Sequence, residues 1–129
     1  MADRPLRILI VEDDPDVLDA LRVALADAGY EVLVARDGAE GLMRVERDAP
    51  DLLLLDVVMP KRSGFYVLDR LRRGALRRAM RIILTTANDR PEFRDFAASH
   101  DVDAFLAKPF DMEEMLATVE RVLGGGGRQ

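Results

Sequence analysis

The chain has 129 residues, 24 acidic against 19 basic side chains, a net charge of −5, one histidine and no cysteine. At 49% apolar and 33% charged it has the makings of one folded domain. Thiolate, disulfide and multi-histidine metal chemistry are excluded, and the acidity argues against sequence-independent nucleic-acid binding. No apolar stretch reaches the ~18 residues of a membrane span, and Met1-Ala2-Asp3-Arg4 lacks the apolar core of a signal peptide, so a cytoplasmic domain is expected.

Short apolar runs alternate with helix-period segments along the chain. The run Leu6–Val11 predicts a strand. Pro15–Ala28 predicts a helix with Val17, Leu21, Ala24 and Ala28 on one stripe beside Leu18 and Leu25, stopped by Gly29. Glu31–Ala35 follows as strand, and Ala39–Asp48 as helix introduced by Asp37-Gly38 and ended before Pro50. Leu52–Val57 carries four consecutive leucines, the pattern of a strand covered on both faces in a parallel sheet. After a Met59-Pro60 break come a helix over Gly64–Arg73, a strand over Arg81–Thr85, a helix over Pro91–Ser99 and a strand over Ala104–Ala107. A last helix spans Met112–Leu123 behind an Asp111 N-cap. Residues 1–123 thus form one α/β domain of five βα units with a parallel sheet and helices on both faces, and 124–129 a flexible glycine-rich tail or linker start.

In open α/β sheets ligands bind beyond the carboxyl ends of the strands. There the first strand delivers Glu12-Asp13-Asp14, the third Asp56, the fourth Thr85-Thr86-Ala87 and the fifth Lys108-Pro109. Close carboxylates oppose one another unless a cation sits between them, and an oxygen-only set selects a hard ion, Mg2+ best of all. The same residues have plainer readings: Glu12 and Asp13 as a solvated patch, Asp14 as a helix cap, Thr86 as a β-former and Lys108 as a surface lysine. Lys108 stands out because 17 of the 19 bases are arginine and Lys61 is the only other lysine. A compact ammonium suits a single phosphoryl or carboxylate oxygen. Pro109 after it can host a cis peptide.

The segments ILIVEDD, YEVLVARDGAEGL, DLLLLDVVMPKRSG, IILTTA and DAFLAKPF resemble, in order and spacing, the receiver domain of bacterial two-component response regulators, over Leu6 to Leu123. The resemblance implies a doubly wound, flavodoxin-like (βα)5 fold of strand order 2-1-3-4-5. It implies Asp56 as phosphoacceptor, with Mg2+ held by Asp13, Asp56 and the Val58 backbone carbonyl, and by Glu12 through water. Lys108 would pair with the phosphoryl group, Thr86 would be the switch hydroxyl and Phe105 the aromatic that turns with it. A histidine kinase or phosphotransfer protein would be the donor. The fourth helix, fifth strand and fifth helix would form the output face, open to homodimer contact, with no membrane role and no direct nucleic-acid binding. Val58 and Asn88 occupy positions that tune dephosphorylation in this family.

Some features depart from the pattern. Val102-Asp103, preceded by His100-Asp101, replaces the usual glycine-alanine pair, Phe105 replaces a frequent tyrosine, and the Leu71–Arg81 connection is long and basic. Three competing functions remain open at this level. A haloacid-dehalogenase-type phosphatase would carry its nucleophile as DxD on the first strand, where this chain has EDD. A receiver-like module without phosphorylation would have no use for the five polar groups. A nucleic-acid binder would use Arg70, Arg72, Arg73, Arg77, Arg78 and Arg81, which otherwise form a solvated face.

Overall fold

The leucine run becomes the middle of the sheet. In the computed structural model, which describes residues 4–56, 64–71, 80–87, 95 and 102–125, Leu52–Asp56 is a strand whose five residues are all buried. The elements run β1 (Arg7–Val11), α1 (Pro15–Asp27), β2 (Glu31–Ala35), α2 (Gly38–Asp48), β3 (Leu52–Asp56), α3 (Gly64–Leu71), β4 (Arg81–Thr86), β5 (Ala104–Ala107) and a C-terminal helix (Met112–Glu120). The five strands are parallel and ordered β2-β1-β3-β4-β5, as expected.

Strand alternation sorts the apolar side chains onto two faces. Leu9, Val11, Leu53, Leu55, Ile82 and Leu84 pack with Val45 of α2 and Val67, Leu68 and Leu71 of α3. Ile8, Ile10, Leu52, Leu54, Ile83 and Leu106 pack with Leu18, Leu21 and Leu25 of α1 and Met115 and Val119 of the C-terminal helix. Each fully buried leucine contributes about 1.5–3 kcal/mol relative to exposure, so the central strands anchor whatever stands at their ends. Helix α2 comes so close to β1 that a Cβ on Gly41 would lie 2.9 Å from Val11 Cγ2, nearer than packed carbons tolerate.

The helix starts follow from capping. Asp14 Oδ1 accepts from the N–H groups of Asp16 at 2.9 Å and Val17 at 3.3 Å, with Pro15 in the first turn. Asp37 accepts from Glu40 N–H at 2.9 Å, and Asp111 from Glu114 N–H at 2.7 Å.

The boundaries differ from expectation in several places, the first being β1, which begins at Arg7 and leaves Leu6 exposed outside the strand. Helix α1 ends at Asp27, leaving Ala28 an exposed C-cap rather than a core residue, with Gly29 behind it at φ 101°. Helix α2 begins one residue early, at Gly38, because Asp37 caps it directly. Strand β4 includes Thr86, which pairs with Ala107. The C-terminal helix passes at Arg121–Gly125 into a π-helical turn that carries two of the glycines expected in the tail. Of the predicted helix Pro91–Ser99 only Asp95 is described, and Arg72, Arg73, Arg77 and Arg78 of the basic cluster lie outside the described residues.

Candidate functional site

Rigid strands carry the polar residues to one edge of the sheet. Glu12 follows β1 directly and is 1% exposed, its N–H donating to Ala35 O at 3.1 Å. Asp56 is the last residue of β3 and 4% exposed, held in register opposite Thr85. Asp13 is exposed at the turn into α1. One carboxylate oxygen from each of Glu12, Asp13 and Asp56 lies within 4.8 Å of the others.

Lys108 enters this cluster from the far side of the sheet. Its N–H donates to Thr86 O at 2.8 Å, tying the turn after β5 to the end of β4, and the Lys108-Pro109 peptide is cis. The Lys108 ammonium donates to Glu12 Oε1 at 2.8 Å and to Asp56 Oδ2 at 3.4 Å. Burial disfavours its charge, but the hydrogen bond to Glu12 and the charge of Asp56 outweigh this, and its pKa lies above the usual lysine value. Beside Lys108, a cavity of about 430 Å3 between α1 and the start of the C-terminal helix is lined mainly by Val17, Ala20, Pro109, Phe110 and Met112.

Glu12, expected from the sequence as a water-mediated metal ligand, also connects the site in a way the sequence did not suggest. Besides Lys108, it accepts at Oε2 from the Asp14 N–H at 3.1 Å. No local signal announces the Glu12–Lys108 contact, because the partners are 96 positions apart. Asp14, by contrast, performs the helix-capping role expected of it.

Thr86 is fully buried at the end of β4. Phe105 is partly buried in β5, opposite Leu84, and packs on the cluster containing Val11, Leu55 and Leu84. Since Thr86 pairs with Ala107, alternation puts Thr86 and Phe105 on the same face of neighbouring strands. Thus Glu12, Asp13, Asp56 and Lys108 converge, while Thr86 ends the neighbouring β4 and Phe105 lies on its face of β5, over the apolar core. Val58, Asn88 and Lys61 lie outside the described residues.

The donor set fits a hard divalent cation: three clustered carboxylates, no nitrogen or sulfur ligand, and an exposed Asp13 with no hydrogen bond or ion pair to any described residue. Among the described residues no helix is long and apolar enough to cross a membrane.

The sequence model of the response regulator receiver domain matches residues 8–120. The chain is 39% identical over 117 residues to the DNA-binding dual master transcriptional regulator RpaA of Synechocystis, covering 91% of this chain and 48% of RpaA. It is 41% identical over 118 residues to the response regulator MprA of Mycobacterium leprae, covering 92% and 51%. The chain therefore spans about half the length of the curated relatives it matches. Among solved structures, a CheY-like receiver domain protein of Methanospirillum hungatei superposes with a TM-score of 0.87 at 31% identity, over 94% of this chain and 95% of that one. The chemotaxis protein CheY4 of Vibrio cholerae does so with a TM-score of 0.87 at 31% identity, over 92% and 99%.

Proposed function

Because the chain belongs to the response regulator receiver domain family, we propose that it serves phosphorelay signalling by accepting a phosphoryl group on Asp56 from a histidine kinase or phosphotransfer protein. One observation carries this reading. A nearly buried carboxylate at the end of the most apolar strand shares its pocket with an ammonium 3.4 Å away and with two further carboxylates.

An Asp56 carboxylate oxygen attacks the phosphorus of a phosphohistidine, an O–P bond forms as the P–N bond breaks, and the imidazole leaves with the P–N electron pair. The product is an acyl phosphate. Phosphoryl transfer asks the protein chiefly for positioning and charge neutralisation. Lys108 provides part of that charge. Asp13, Asp56 and the Val58 carbonyl would hold Mg2+ directly, with Glu12 facing it through water. When bound, the ion supplies further charge neutralisation for the phosphoryl oxygens.

Thr86 then donates its hydroxyl to a phosphoryl oxygen, and Phe105, on the same face, turns into the space released. The result is a population shift that reaches β5 and the C-terminal helix and, with the helix predicted over Pro91–Ser99, supplies the surface for output and homodimer contact. The domain acts as a regulatory phosphoacceptor in the cytoplasm, without direct contact to nucleic acid.

The decisive experiment is labelling with acetyl phosphate and Mg2+. The unaltered chain is expected to gain one hydroxylamine-labile phosphate, and Asp56→Asn to gain none while keeping its circular dichroism. Undiminished labelling of Asp56→Asn removes the assignment.

A further inference from the structure

We propose that the cavity beside Lys108 seats the hydrocarbon tail of a small phosphodonor, so that acyl phosphates of short fatty acids serve Asp56 as donors beside the phosphohistidine. The proposal rests on the reading of Asp56 as phosphoacceptor and names a further donor class for that site. Lys108 belongs to both places, for it lines the cavity and its ammonium stands 3.4 Å from Asp56 Oδ2. Other lining residues also lie past the carboxyl ends of the strands. Ala87 follows β4, and Pro109 and Phe110 follow β5. Val17 and Ala20 stand in the first two turns of α1, and Met112 opens the C-terminal helix.

Three features of the cavity select such a donor. Its volume of about 430 Å3 falls within the ~300–1,000 Å3 of small-molecule sites and leaves room for several carbons beyond an acetyl group. Among the described residues, six of its lining side chains are apolar and offer no hydrogen-bonding group. A sugar or nucleotide leaving group would lose its bonds to water there without replacement, whereas each methylene buried favours binding about fourfold. The charged lining residues are Lys108, which suits the phosphoryl end, and Asp16, an exposed carboxylate that repels a second negative charge on the donor. A phosphoryl head with a short uncharged tail meets all three conditions.

In this transfer an Asp56 carboxylate oxygen attacks the phosphorus, and an O–P bond forms as the P–O bond to the acyl group breaks. The fatty-acid carboxylate leaves with that electron pair, and no proton changes hands. In-line displacement puts the leaving carboxylate on the side of the phosphorus away from Asp56, beyond the same edge of the sheet as the cavity. The test compares acetyl and butyryl phosphates on the full chain with Mg2+, below saturation. The two leaving carboxylates are nearly equal in acidity, so the ratio of rates reports the tail. Butyryl phosphate is expected to label Asp56 about tenfold faster, the weight of two buried methylenes. That ratio should fall below about threefold in Ala20→Phe, which fills the cavity from an exposed helix position. It should fall likewise in Met112→Gln, which keeps the shape of the wall but adds an amide. Equal rates in the unaltered chain overturn the proposal and leave the cavity to the side chains of a protein donor. A tenfold ratio that survives both substitutions also overturns it.

A measurement without transfer separates the cavity from the phosphoacceptor reading. The phosphonate analogue of butyryl phosphate, with CH2 in place of the bridging oxygen, cannot pass on its phosphorus. It is expected to shift the methyl resonances of Val17, Ala20 and Met112, and to bind about tenfold more tightly than the matching analogue of acetyl phosphate. Unmoved methyl resonances with the phosphonate in large excess overturn the proposal. If the unaltered chain takes no phosphoryl group from either donor, the phosphoacceptor reading fails, and the methyl shifts still decide what the cavity holds.

Discussion

The two ends of the sheet use the same kinds of charge for opposite purposes. At the amino end, charges are matched and tied to the backbone. Asp51 Oδ2 accepts from the Arg7 N–H at 2.7 Å and from Arg4 at 3.4 Å, and Arg7 reaches Glu31 at 3.1 Å and the Asp48 carbonyl at 2.9 Å. Asp103 accepts from the Ile82 N–H at 2.8 Å and pairs with Arg81 at 3.8 Å. Arg47, with Arg44, holds the Asp48 carboxyl below its ordinary pKa despite some desolvation. At the carboxyl end, among the described residues, three clustered carboxylates meet one ammonium. Matched charge at one end fastens strands, while surplus charge at the other leaves a deficit that a cation or a reacting group can fill.

The largest test of this contrast is to fill the deficit. Mg2+ at about a hundred times its dissociation constant should add about 2.7 kcal/mol of stability, read as a rise in Tm. Asp13→Asn, which removes the open carboxylate, should lose most of that rise. An unchanged Tm in the unaltered chain would mean that the carboxyl end holds no charge deficit a cation can fill.

Next comes a cut at the matched end. Asp51→Ala should cost about 1–2 kcal/mol in urea melts, because it orphans the Arg7 N–H, while labelling of Asp56 proceeds at the normal rate. A labelling defect there would show that the two ends are not separate in function.

Tyr30, just before β2 at the amino end of the sheet, makes stability depend on alkaline pH. Burial chiefly, and the Glu120 carboxylate in addition, raise its pKa. A raised folded pKa means stability complete below the unfolded value near 10 and lost as pH rises through the higher folded one. Lys108 adds a loss of the same sign, so urea melts across this range should show a shallower decline in Tyr30→Phe, not a flat line. The smallest effect belongs to the exposed Arg22–Asp19 pair of α1, where Asp19→Ala should change stability by at most about 0.5 kcal/mol.

Much of the site could be read without the fold. Asp56 stood out because four leucines precede it, and Lys108 because arginine is used almost everywhere else. The strand order came from the family resemblance, and the structure shows the same order. Two features escaped. Thr86 stood just past the expected strand end although threonine is a strand former, and pairing with Ala107 draws it into β4. Glu12 looked like one acid among three, because nothing local distinguishes a buried carboxylate from a solvated one.

Apolar periodicity determined the alternation of strands and helices, and with it the edge to which the polar residues had to be delivered, since a chain that buries these runs in parallel strands has one carboxyl end. Capping residues likewise set the helix starts, for Asp14, Asp37 and Asp111 act on N–H groups within three positions. Which charges meet was left to the tertiary structure. The Lys108–Glu12 bond spans the breadth of β3 and β4, and its partners become neighbours only when the whole sheet is assembled. Strand pairing closes that distance, and burial then makes the contact strong enough to hold the lysine in place.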